Sequence, residues 1–83
     1  MAKSYNGHRS WNAWNVALWI NNEYALYKLA RNCCKERDTV GGSATLFIKR
    51  LGETKTPDGA SYNHLCVKLA IEDIFNEVNG GEK

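Results

Sequence analysis

The chain has 83 residues, enough for one domain and no more, and a fold of this size buries roughly 60–65% of the surface its unfolded form exposes. A hydrophobic fraction of 43% with 24% charged residues excludes a disordered tail, and the net charge of +2 is close to balance. The longest apolar run, Val16-Ala17-Leu18-Trp19-Ile20, falls far short of the ~20 residues a membrane helix needs.

Residues 1–9 read as a polar N-terminal arm. It lacks the apolar segment of a signal peptide, so the expected location is the cytoplasm. From Ser10 the pattern turns helical, with Ser10 or Asn12 as the cap whose oxygen accepts a free amide proton. Trp11, Trp14 and Leu18 repeat at i, i+3, i+7, with Ala17 widening the stripe and Trp19 and Ile20 extending it nearly all round. A helix apolar on most sides is expected to be the central, most buried one. Asn15 is the polar exception: it either bonds to a loop inside the fold or contacts a partner.

Asn21-Asn22 interrupts the apolar run, because Asn side chains compete for backbone groups. A second helix is expected from Asn21 or Asn22 to about Lys35, burying Leu26, Leu29, Ala30 and Cys33. The alternative is one continuous helix bent at the two Asn. Ser43 is expected to cap a short third helix, Ala44 to Leu51, with Gly52 in the stop position. A strand at 44–50 is the rival reading, but no comparable strand exists to pair with it. Pro57-Asp58-Gly59 carries turn chemistry. Asn63 then caps a last helix through Val78, with a stripe of Val67, Ala70, Ile71, Ile74, Phe75 and Val78, and residues 79–83 form a tail. The expected fold is all-α, a single-domain bundle of three to four helices over residues 1–83. Trp14 and Phe75, central in their stripes, are the expected core anchors. An α+β arrangement with the strand at 44–50 is the minor alternative.

Catalytic signatures are absent. His8 and His64 are the two histidines, and neither stands in a pattern with a nucleophile and an acid. Cys33, Cys34, His64 and Cys66 could supply zinc ligands in principle, but structural zinc sites space paired thiols by two or more residues. Three cysteines, two of them adjacent, also do not fit a disulfide framework, so buried free thiols are expected. No catalytic residue, cofactor site or metal site is assigned.

Charge is the more informative signal. Residues 1–50 hold eight Lys/Arg against three acids, and residues 51–83 hold three against six. Lys28, Arg31, Lys35 and Arg37, with Lys49 and Arg50 as possible additions, form a candidate basic face for nucleic acid. Glu72, Asp73 and Glu77 form a candidate acidic face for a protein partner, near Glu82 in the tail. Solvated helix faces are the plain reading of both. Tyr5, Tyr24 and Tyr62 are the exposed aromatics that would take over if charge were not the determinant.

The run Trp14-Asn15-Val16-Ala17-Leu18-Trp19-Ile20 resembles a family of small bacteriophage and prophage proteins with a Tyr-x-x-Trp-Asn-Val-Ala-Leu-Trp core. The likeness extends to Tyr5-Asn6-Gly7, Leu26-Tyr27 and the turn Thr56-Pro57-Asp58-Gly59. It departs at Trp11, Asn12 and Ala13, where the family has Tyr, Glu and Thr, and it does not cover residues 36–55. The resemblance implies a phage-encoded protein. By analogy with other small phage proteins, the expected role is a non-enzymatic inhibitor of a host defence system, anti-CRISPR-like, acting by contact with a host protein or ribonucleoprotein complex. The alternative is a small nucleic-acid-binding regulator using the basic face.

Overall fold

Four helices in chain order are seen in the computed structural model, which describes residues 10–80: α1 (Trp11–Asn22), α2 (Tyr24–Glu36), α3 (Val40–Leu51) and α4 (His64–Val78). The bundle is all-helical, and segment 44–50 lies inside α3. Among the described residues the one β-like feature is an isolated antiparallel bridge between Lys55 and Ser61.

Ser10 caps α1, its hydroxyl accepting the Ala13 amide. The Asn pair closes α1 and does not open α2. Asn21 Nδ2 donates to Ala17 O at 2.8 Å and Asn22 Nδ2 to Leu18 O at 2.9 Å, each bonding one turn back. The break falls at Glu23, extended at φ −99° and ψ 112°, so α1 and α2 are separate helices and α2 begins two residues after Asn22. Helix α3 begins a turn earlier than Ser43 suggests. Thr39 is its cap, accepting the Gly42 amide at 2.9 Å, while Ser43 is fully buried within the helix and donates to Thr39 O. Gly42 fits closely here: a Cβ at that position would lie 3.0 Å from the capping Thr39 Oγ1 and would press on it. Gly52 ends α3 at φ 73°, a left-handed cap whose amide bonds to Ile48 O. Asn63 caps α4 through the Cys66 amide.

Helices α2 and α4 each pack against all three others, whereas α1 and α3 do not meet. The centre of the bundle is therefore the α2–α4 pair, and α1 flanks it. The buried face of α1 is Ala13, Val16, Ala17 and Ile20, while Trp11 and Leu18 are 39% and 37% exposed. The Trp11-Trp14-Leu18 stripe is real but points away from the core. Small side chains at 13 and 17 let α1 approach its neighbours closely, which its indoles would prevent. Trp14 and Phe75 are both only half-buried. The fully buried aromatic is Phe47 of α3, tilted against Tyr62 at 6.3 Å and part of the same buried core as Val16, Ile20, Val67 and Ile71.

Candidate functional site

The two charged faces read from the sequence are neighbours. Glu72, Asp73 and Glu77 are exposed on α4; Lys28 and Lys35 are exposed on α2, with Arg37 just beyond its end and Arg31 half-buried. Because α2 and α4 pack together, Arg31 reaches Glu77 at 3.9 Å. Arg50 of α3 binds Glu36 of α2 with two bonds of 2.7 and 2.8 Å, which holds the Glu36 carboxyl below its usual range. The surface thus alternates in sign where a single-sign field would be needed for phosphate binding.

A different constellation, seen in the sequence only as fragments, ties α1 to the 53–63 loop. Asn12, Asn15 and Trp19 lie at i, i+3, i+7 on one face of α1. Asn12 pairs with the Ser61 backbone as a strand would, accepting Ser61 N–H at 2.7 Å and donating to Ser61 O at 2.8 Å. It also donates to the Cys66 thiol at 3.2 Å. Buried Asn15 accepts the Thr56 hydroxyl at 2.6 Å and donates to Asp58 Oδ2 at 2.9 Å. Trp19 Nε1–H donates to the same carboxylate oxygen at 2.9 Å. Those two donors lower the Asp58 carboxyl below its ordinary value, Asn15 contributing most. The loop is preformed to receive them: the Thr56 hydroxyl takes the Ala60 amide, Thr56 O takes the Gly59 amide, and Gly59 turns the chain at φ 96°. Asn15 is therefore a structural hub whose partners are loop side chains. The signal available beforehand was the i, i+3, i+7 spacing of polar-capable residues in an apolar helix.

The outward surface of α1, adjacent to that face, is uncharged, with Trp11, Leu18, Asn21 and Asn22 exposed. No charged side chain occurs in α1 at all, and Trp11, Leu18 and neighbouring Tyr24, 73% exposed, stand in solvent. A shallow groove of about 260 Å³ sits at its C-terminal end, lined by Leu18, Trp19, Asn22 and Glu23. Tyr62, by contrast, is buried and unavailable for contact, and Tyr5 lies outside the described residues.

The remaining reactive groups serve the fold. His64 Nε2 lies 3.0 Å from Gly41 O and fastens the start of α4 to the start of α3. Cys33, Cys34 and Cys66 are buried free thiols, and desolvation raises the first two above the ordinary thiol range. Cys33, Cys34, His64 and Cys66 do not converge: among the described residues, no group of three or more His, Cys, Asp or Glu is placed to hold a metal ion. His8 lies outside the described residues.

Fold and surface together define a small four-helix domain, with no helix among the described residues long and apolar enough to cross a membrane. The chain belongs to a family of unknown function, DUF7249, which matches residues 1–82. No curated protein and no solved structure matches it.

Proposed function

We propose that this chain is a non-enzymatic binding protein that acts through protein–protein contact in the cytoplasm of its host cell. Its target, on the phage-like motifs at Trp14–Ile20 and Thr56–Gly59, is a component of a host defence system, inhibited in an anti-CRISPR-like manner. The observation that carries the contact reading is the outer surface of α1 and the start of α2, where Trp11, Leu18 and Tyr24 are exposed and α1 itself has no charged residue. Surface helices normally turn a charged face to water, and exposed apolar surface of this kind marks interaction sites. The acidic residues Glu72, Asp73 and Glu77 become a flanking surface in this reading, since Glu77 is already engaged by Arg31. The rival role, a nucleic-acid regulator using Lys28, Arg31, Lys35 and Arg37, draws less support because acids interleave with those cations.

Expression in cells that carry a defined defence system tests the proposal. Plaque formation by a sensitive phage should be restored, and should be lost with Leu18→Asp/Tyr24→Asp provided that variant melts as the parent does. Gel shifts with DNA and RNA should show no tight complex. A tight complex whose affinity falls steeply with salt would transfer the function to the basic face.

A further inference from the structure

We propose that the groove at the end of α1 receives an arginine side chain presented by a basic segment of the protein partner. This rests on the protein-contact reading above and supplies the chemistry of what is recognised. Leu18 and Trp19 give the groove an apolar, aromatic wall, and the acidic residue Glu23 is among those that line it. From Ser10 to Tyr27, Glu23 is the single charged residue, so nothing of opposite sign on that stretch neutralises it. The last turn of α1 holds no basic side chain, so the negative end of the helix dipole also lacks a cation. The Trp19 indole is held at its edge by the Asp58 carboxylate, which accepts Nε1–H at 2.9 Å. Glu23 and the C-terminal end of α1 thus supply negative potential to an apolar slot whose wall is a held indole. The side chain that matches is planar, cationic and weakly hydrated, able to stack on the ring while its N–H groups reach a carboxylate, which describes a guanidinium better than an ammonium.

The test uses the full chain and two blocked tetrapeptides, Ac-Gly-Arg-Leu-Gly-amide and its citrulline counterpart, which keeps the shape and removes the charge. Backbone amide and indole N–H resonances are followed by NMR. The arginine peptide should give saturable shifts at the Trp19 indole and at Leu18, Asn22 and Glu23, roughly fivefold tighter than citrulline. Glu23→Gln, at an exposed position with no side-chain capping bond, should reduce affinity for arginine by a similar factor, leave citrulline unchanged and leave the melting temperature unaltered. Equal binding of the two peptides, or shifts elsewhere on the surface, would overturn the site. So would sedimentation showing a dimer of the free chain that Leu18→Asp dissociates, since the groove would then belong to a second copy. If the phage assay still depends on Leu18 and Tyr24 while arginine shows no preference, the contact reading stands and the arginine site alone is lost. If arginine binds selectively while Leu18→Asp/Tyr24→Asp inhibits as the parent does, the site stands and the contact reading fails.

Discussion

The loop-facing and outward-facing sides of α1 are built from the same few residue types and do opposite things. On one side Asn12, Asn15 and Trp19 direct their side-chain bonds chiefly to the 56–61 segment. On the other, Trp11 and Leu18 meet solvent. Between them runs a third strip of small and branched residues, Ala13, Val16, Ala17 and Ile20, that belongs to the core. Amphipathicity in this helix is therefore not a division into wet and dry. It is a division into packed, bonded and open, and Trp19 belongs to two of these, bonded to Asp58 at its edge and lining the groove with its ring.

Substitutions along α1 should separate these roles by size of effect. Ile20→Ala removes a fully buried branched side chain and should cost about 2–5 kcal/mol, which leaves a domain of this size largely unfolded at 37 °C. A circular dichroism melt close to that of the parent would reassign the core. Asn15→Ala should cost less, about 1–3 kcal/mol, because the Thr56 hydroxyl loses its acceptor in a buried place and Asp58 loses a donor. Urea unfolding measures it, and a cost no larger than that of an exposed site would remove Asn15 as the hub.

Acid should weaken the loop-facing side of α1 and, separately, the Glu36–Arg50 pair between α2 and α3. The Asp58 carboxyl is lowered in the folded chain, so its contribution is present above the unfolded carboxyl value of about 3.9 and is lost as pH falls through the folded one. Glu36 beside Arg50 has the same sign. Stability should therefore decline below about pH 4 in the parent, more gently in Asn15→Ala, and more gently still when Arg50→Gln is added. Parallel declines in all three would show that neither bond contributes. The smallest effect belongs to the open side. Tyr24→Ala should change stability by less than about 0.5 kcal/mol while abolishing partner binding. A large loss of stability there would mean that the surface is structural.

Much of the fold was readable from periodicity. Ser10, Gly52 and Asn63 are the caps they were expected to be, and the α4 stripe at Val67, Ala70, Ile71 and Ile74 is the buried one. The register of α1 was not, because hydrophobicity ranks Trp above Ala whereas close packing between helices ranks Ala above Trp. The start of α3 was missed because Ser43 is itself a favourable cap residue, whereas Thr39 caps the helix one turn earlier, with Gly42 close against Thr39 and Arg37. As for the site, Asp58 and Thr56 are turn residues by composition, and nothing local reveals that they face Asn15 and Trp19. The charged faces were visible residue by residue, but their adjacency depends on how α2 meets α4.

The bonds between α1 and the loop join residues 39 to 49 apart in sequence. During synthesis at about 5–20 residues per second, α1 waits roughly 2–10 s for its polar partners to emerge. In the folded chain buried Asn15 is satisfied by Thr56 and Asp58, which ties α1 to the one rotation that faces them. Asn15→Leu, though more hydrophobic, removes that constraint and should fold into a mixture of packings with broadened amide resonances.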